Sequence, residues 1–422
     1  MSDATRDSLA ASAAEVRDWL AANWDPELSL VEWRDRLADS GWGQPTWPAA
    51  FYGRGLGARE AAVVEQEFAR IGAVGAATAG PRGLAAATLL EHGSDAQKKR
   101  YLRGILTGRD AWCQLFSEPG SGSDLAGATT RADRVQSQGE GQAGRAASQR
   151  WIVNGQKVWN TSAHHADYGI LVARTDWEVP KHQGLSYFLI KMDQPGVEVR
   201  QLKQMNGHAS FNEVFFTDAV VDHDDLVGEL GQGWQIALTT LSYERSGFNR
   251  IRGGDRFEGR HGRVYREYER ELEIANEPYT WYPQRAGRID LLLERAAESG
   301  AIRDPAVRQD IATAIALQRC ANWFSARGLA RGPAGSIGKL AASRVARAGN
   351  QAHTVISGIE AMFEGDDSPL DGIVGEVLLS TPATSIAGGT DEIQKNIIAE
   401  RILELPKEPR FDGGPFKDVP RN

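Results

Sequence analysis

A chain of 422 residues, 41% hydrophobic and 25% charged, exceeds what one compact core organises, so two or three globular domains are expected. The formal net charge of −8 leaves no overall basic surface for nucleic acid or an anionic membrane. Two cysteines, Cys113 and Cys320, are too few for a disulfide framework or a structural zinc site and read as buried apolar filler, and no metal site is expected.

Met1-Ser2-Asp3-Ala4 is not a basic stretch followed by an apolar one, and no apolar run approaches a membrane span, which predicts a cytoplasmic protein. The first hundred residues read as helices. Leu9, Val16, Leu20 and Trp24 recur at helical spacing. Ser29 and Glu32 make a capping box ahead of Trp33 and Leu37, with Gly41 placed to end that helix. Residues 58–71 are unbroken helix formers, and Ser94 with Gln97 opens a helix toward Leu102. Residues 112–116 are strand-like. Residues 132–150 are polar and rich in Gly, Gln and Ser, which predicts an exposed, mobile loop. Residues 151–159 form two β-rich arms around Asn154-Gly155, the mark of a hairpin with a type I′ turn. Further strand-like runs cover 168–173, 186–192 and 214–216. After Gly231 helical patterning returns. Val307, Ile311, Ile315 and Leu317 share one face, with Trp323 and Phe324 beyond, and helix formers run over 336–359. The tail after Pro406 carries Pro and Gly and reads as irregular. There is no internal repeat.

Three segments carry chemistry-bearing residues. The first is Phe116-Ser117-Glu118-Pro119-Gly120-Ser121-Gly122-Ser123-Asp124. Pro119 stops regular structure. Gly120 and Gly122 let backbone approach a flat ring or a phosphate, and three serine hydroxyls stand beside exposed amides. Such a loop can line a flavin edge, although alone it is more often a surface turn. It is neither a P-loop nor a Gly-x-Gly-x-x-Gly fingerprint. In the second segment, Trp159 and Thr161 stand on alternate strand positions and share a face. An indole and a hydroxyl there can flank a flat ring or belong to a core. The third is Ala387-Gly388-Gly389-Thr390-Asp391-Glu392-Ile393-Gln394. It reads as a loop feeding a helix whose first amides can take an anion, with plain capping as the alternative.

Together and in this order, with Asn-Gly-Gln-Lys-Val-Trp and Phe211-Asn212-Glu213-Val214-Phe215-Phe216-Thr217-Asp218 between them, these segments resemble the acyl-CoA dehydrogenase family, especially its actinobacterial branch. The resemblance runs from the first helices to Pro406. It implies an α+β multidomain fold: an N-terminal α-helical domain over 1–112, a middle β-barrel-like domain over 113–228, a C-terminal four-helix bundle over 229–406 and an irregular tail over 407–422. It implies FAD, lined by Gln114, Leu115, Phe116, Ser117, Gly122 and Ser123, packed by Trp159, Asn160 and Thr161, and touched by Gly389, Thr390, Asp391 and Glu392. Ser123 would also reach the CoA thioester arm, with Tyr243, Arg245 and Gly388 on the substrate side. The implied reaction is α,β-dehydrogenation of an acyl-CoA, with electrons passing to an electron-transfer flavoprotein. A carboxylate takes the α-proton while the β-hydrogen leaves as hydride. Gly388 would keep an N–H for the thioester carbonyl.

Two departures qualify the family pattern. Many members place the glutamate base directly before the Gly-Thr of the C-terminal motif, where this chain has Gly388. A minority pattern puts the base in a Glu-Arg pair on an earlier helix. Ser242-Tyr243-Glu244-Arg245 stands at that place, so Glu244 is the expected base, against the alternative of a solvated ion pair. An Arg-x-x-Phe-Gly segment that reaches the FAD of a neighbouring subunit has no clean copy in the Arg/Tyr/Glu-rich stretch 250–288. Of a later glutamine and Gly-Gly pair only Gly358 remains. Both losses concern contacts across an interface, so a homo- or hetero-oligomer, dimer or tetramer, is expected. The alternatives are an acyl-CoA oxidase using O2, and a non-catalytic subunit beside an active paralogue. The acyl group is not readable.

Overall fold

Capping chemistry sets the first helices where the side chains demand them. The computed structural model describes residues 3–135, 149–247, 257–327, 334–363, 365–409 and 412–420. Five helices precede the first strand: α1 (Asp3–Asn23), α2 (Leu30–Ser40), α3 (Ala58–Ile71), α4 (Pro81–His92) and α5 (Asp95–Thr107). Ser29 and Glu32 cap each other's amides, and Gly41 ends α2 in the left-handed region. Ser94 and Gln97 repeat the device on α5. Val16, Leu20, Leu37, Leu102 and Ile105 fill one core around Trp33, whose Nε1 donates to Val74 O at 2.6 Å.

The strands are β1 (Trp112–Leu115), β2 (Arg131–Val135), β3 (Arg150–Thr161), β4 (Tyr168–Arg174), β5 (Leu185–Lys191), β6 (Val197–Leu202), β7 (Phe211–Asp222) and β8 (Leu226–Val227). They form one mixed sheet, ordered β6-β7-β3-β2-β4-β5-β8, with β1 parallel to β4. Val153, Leu171, Phe188, Ile190 and Val214 centre a second core on it. β7 is far longer than the apolar run 214–216, because only its alternate residues are buried. Of the expected loop 132–150, residues 132–135 lie in β2 and residue 150 opens β3, while 136–148 lie outside the described residues.

The hairpin expected at Asn154-Gly155 does not form. β3 runs straight through, paired with β2 on one side and β7 on the other, and absorbs the position as a bulge between Val153 and Gly155. Asn154 Nδ2 donates to Asp218 Oδ1 at 3.0 Å, and the Asp218 N–H returns to Asn154 Oδ1 at 2.9 Å. A bulge and a tight turn both favour Asn and Gly, and the two long neighbouring strands decide between them. Gly155 has φ 149°, and a Cβ there would stand 2.6 Å from Thr130 Oγ1 and 2.7 Å from its Cα. Gly155→Val should therefore cost about 2 kcal/mol or more of unfolding free energy in denaturant titration. A loss below about 0.5 kcal/mol would contradict this packing.

Nine helices follow in the described residues: α6 (Gly233–Gly247), α7 (Arg263–Asn276), α8 (Tyr282–Arg285), α9 (Leu292–Glu298), α10 (Pro305–Ala326), α11 (Gly335–Ser357), α12 (Ile373–Ser380), α13 (Pro382–Ile386) and α14 (Asp391–Arg401). α10 lies along α11, and Leu292, Val307, Ile311, Ala352 and Ile356 form their shared core. α7 docks instead on the N-terminal helices, where Glu271 binds Arg34 at 2.6 Å and Arg82 at 2.9 Å. Cys113 is buried but Cys320 is exposed, contrary to expectation. α10 turns Val307, Ile311 and Ala314 inward and leaves position 320 outside. Among the described residues no helix is long and apolar enough to cross a membrane, and no group of His, Cys, Asp and Glu is arranged to hold a metal ion.

Candidate active site

The Gly/Ser loop leaving β1 is pinned from inside by Glu118. Its carboxylate accepts from Lys157 Nζ at 2.8 Å, the Thr129 N–H at 2.7 Å, Thr129 Oγ1 at 2.9 Å and the Thr130 N–H at 2.9 Å. Lys157, fully buried on β3, also donates to Phe116 O at 2.9 Å. Burial alone would raise the Glu118 pKa, but the Lys157 ammonium and the amide and hydroxyl donors outweigh it and hold the group at about 2. Lysine is rarely buried unless paired, so a lysine between β-rich arms was the available sign of this anchor, and sequence reasoning assigned it no role.

The same strand presents Trp159. A second register shift with β7 falls between Val158 and Asn160. It puts Trp159 at φ 64° and leaves Lys157 and Val158 both buried, while Trp159 is exposed, Asn160 buried and Thr161 partly buried. The indole is 59% exposed, so it is not core, and it meets Phe211 edge-on at 5.9 Å. Asn160 points inward and donates to Gln114 O at 2.7 Å, while the Val158 N–H donates to Ser117 O at 2.9 Å. Gln114 to Ser117 and Trp159 to Thr161 are thus brought together. Leu115 and Phe116 are buried beneath them. At Gly120 and Gly122 a Cβ would meet nothing within 4 Å, so the loop's glycines face open space. Among the described residues, Asn160 Oδ1 is buried without a partner. An exposed indole, open glycine backbone and an orphaned buried oxygen suit a flat heteroaromatic ring with polar edges, as FAD requires.

Glu244 is carried by α6, which packs on α4 and β5. Thr240 Oγ1 pairs with Thr88 Oγ1 at 2.8 Å and the Tyr187 hydroxyl at 3.0 Å, and His92 Nε2 pairs with Thr239 Oγ1 at 2.8 Å. Gly233 lets the helix start against Ser186, whose backbone a Cβ would approach to 2.5 Å. Glu244 is half-buried. Burial, then Tyr282 and the Glu244 carboxylate, raise the Tyr279 pKa. Rings continue from there toward the indole: Tyr279–Tyr282 at 4.8 Å, Tyr282–Trp281 at 4.9 Å and Trp281–Phe211 at 6.3 Å. This aromatic path from Tyr279 to Trp159 was not anticipated, since three of its rings lie in the stretch 250–288. The Arg245 side chain lies outside the described residues.

Tyr243 lines a cavity of about 500 Å³ with Gln44, Trp47, Thr78, Ala87 and Glu91. Its pKa is raised by burial and by the Glu91 carboxylate, to which its hydroxyl is hydrogen-bonded. Ser123 lies beside Asp124, whose carboxylate is held by Lys181 at 2.8 and 2.9 Å.

The C-terminal motif caps α14. Thr390 accepts from the Ile393 N–H, and Gly388 and Gly389 take φ of 67° and 88°. Asp391 is turned inward. Lys339 and Ser343 each bind it at 2.8 Å and Arg347 at 3.1 Å, so its side chain is an anchor for α11. Glu392 is exposed beside Lys395. Among the described residues, no hydrogen bond or ion pair joins Gly388, Gly389, Thr390, Asp391 or Glu392 to the 114–123 loop.

Comparison with known proteins finds relatives over most of the chain. The N-terminal, middle and C-terminal domain families of acyl-CoA dehydrogenase match residues 1–109, 113–219 and 287–403. The acyl-CoA dehydrogenase IpdE1 of Mycolicibacterium smegmatis is 34% identical over 94% of this chain and 97% of its own length. Its namesake from Mycobacterium tuberculosis is 32% identical over 94% and 97%. Among solved structures, the ChsE4-ChsE5 complex from Mycobacterium tuberculosis covers 95% of this chain and 98% of its own, with a TM-score of 0.61 at 22% identity, and so shares the fold. With all three domains matched in order and near-complete relatives above 30% identity, the chain belongs to the acyl-CoA dehydrogenase family of flavoprotein oxidoreductases.

Proposed function

We propose that this chain oxidises an acyl-CoA thioester to the trans-2-enoyl-CoA, using FAD held by the 114–123 loop, Trp159, Asn160 and Thr161. The exposed Trp159 indole, fixed on a bulge beside open glycine backbone, carries the reading. Bound FAD supplies the hydride acceptor. Glu244 takes the α-proton. Its place on a helix bolted to α4 and β5 keeps the carboxylate still while the substrate is turned toward it. The Gly388 N–H makes no hydrogen bond among the described residues and is available to polarise the thioester carbonyl. The cavity beside Tyr243 houses the acyl group. Gly83, Ala86 and Ala87 keep its α4 wall low.

The chain acts within an oligomer. Ile359, Met362, Ile386 and Leu403 are each more than 60% exposed, more apolar surface than a lone C-terminal helical unit leaves in water. A further subunit, a second copy or a paralogue, covers it and brings a site loop within reach of FAD. Electrons leave to an electron-transfer flavoprotein. The chain loaded with FAD, held without oxygen and given a panel of straight, branched and polycyclic acyl-CoAs, should lose its flavin colour with at least one. It should recover colour slowly in air and quickly with an electron-transfer flavoprotein. Failure to bind FAD, or colour unchanged by every thioester, would sink the proposal, while fast recovery in air would favour the oxidase.

A further inference from the structure

The tail does more than trail away. Residues 412–419 lie across the connection between β4 and β5. The Phe416 N–H donates to Val179 O at 2.9 Å and the Lys417 N–H to Trp177 O at 3.0 Å, and Phe416 is 3% exposed. Two buried cations beneath it also hold the Gly/Ser loop. Lys181 Nζ grips Asp124 at 2.8 Å and Asp412 at 2.5 Å. Arg174, fully buried, donates to Ala126 O at 2.7 Å and Ala128 O at 2.9 Å, with the Phe416 ring 3.4 Å from its guanidinium. The same connection is tied back, since Arg174 also donates to Lys181 O at 3.1 Å.

The loop therefore has two anchors of different kind. Glu118 and Lys157 hold residues 118, 129 and 130 from within the middle sheet. Residues 124–128 are held by Arg174 and Lys181, and these two are enclosed by the tail. We propose that the carboxy-terminal strap is a positioning element for the flavin loop, with Lys181 as the positioning residue through which Asp412 sets Asp124 and hence Ser123. This rests on the functional reading above. The strap supplies the second carboxylate that keeps the Lys181 ammonium fixed at this shielded place, and the Phe416 ring that shields Arg174 from water. Without it both cations gain water and alternative rotamers, and the Asp124 end of the loop loses its fixed position.

The test compares the full chain with one ending at Pro409, with Lys181→Met, and with Phe416→Ala and Phe416→Tyr. Amide hydrogen exchange is read on the FAD-free proteins, and FAD affinity by flavin fluorescence titration. The Gly127 and Ala128 amides, which donate to Asp124 O and Leu125 O, should exchange about tenfold faster or more in the truncated, Lys181→Met and Phe416→Ala chains. The Thr130 amide, held by Glu118, should not change. FAD affinity should fall about tenfold in the same three, with kcat at saturating FAD within about twofold, and Phe416→Tyr should restore both. Unchanged exchange at Gly127 and Ala128 overturns the clamp. Faster exchange with unchanged FAD affinity overturns the positioning role. A full chain that binds no FAD overturns the functional reading and the positioning role with it, while the exchange contrast still reports the clamp. Should the truncated chain not fold, Phe416→Ala, which keeps Lys181 and the tail backbone, decides the matter together with Lys181→Met.

Discussion

Glu244→Gln should fold, take up FAD and turn over on the order of 10³-fold more slowly, because a positioned base contributes roughly 10²–10⁴ to proton abstraction and the amide cannot accept the proton. The change is nearly isosteric on a half-buried side chain. α6 is seated by Thr88, Thr239, Thr240, Tyr187 and His92, so stability should move by less than about 1 kcal/mol. That separation makes the variant informative, since lost activity cannot be blamed on a displaced helix. The position preceding Gly389 offers no substitute, because Gly388 has no side chain. Steady-state rates on FAD-loaded protein read the effect. A kcat within about tenfold of the parent chain would remove Glu244 from the role of base.

Lys157→Met should be the most destructive single change in the middle sheet. It leaves Glu118 buried with its counter-charge gone, and breaking a buried pair on one side costs about 3–5 kcal/mol. Melting temperature should fall and FAD should be lost with the loop. The acid limb gives an independent check. Glu118 sits at about 2 in the fold against about 4.3 for a free glutamate. Its folded pKa is depressed, so its contribution, on the order of 3 kcal/mol, is complete above the unfolded value and is lost as pH falls from about 4.3 toward 2. In Lys157→Met that slope of stability against pH should flatten markedly. An equally steep acid limb, or a melting temperature within a degree or two of the parent, would contradict the anchor.

Features decided within a few residues were legible in the chain. The capping boxes at Ser29 and Ser94 and the helix over residues 58–71 need only their own turn, and they formed where the side chains demanded. Asn154-Gly155 was misread because the same dipeptide serves a turn and a bulge, and β7, some sixty residues later, chooses. Trp159 was left between core and ring-flanking roles, since its exposure depends on the second bulge, between Val158 and Asn160. Asp391 suits a helix N-terminus on local grounds, yet Lys339, Ser343 and Arg347, all on another helix, claim its carboxylate. Arg174, Lys181 and the strap were invisible for the same reason. They become a unit only when residues more than two hundred positions apart meet.

Removal of two hydrogens from an acyl thioester by this chain, through Glu244, is read from the mass of the thioester. FAD-loaded parent chain, incubated with a panel of acyl-CoAs and an electron acceptor, should yield at least one product lighter by two hydrogens, while Glu244→Gln carrying the same FAD should yield almost none. Equal product from both would contradict Glu244 as base, and no lighter product from any thioester with the FAD-loaded parent chain would contradict the dehydrogenation itself.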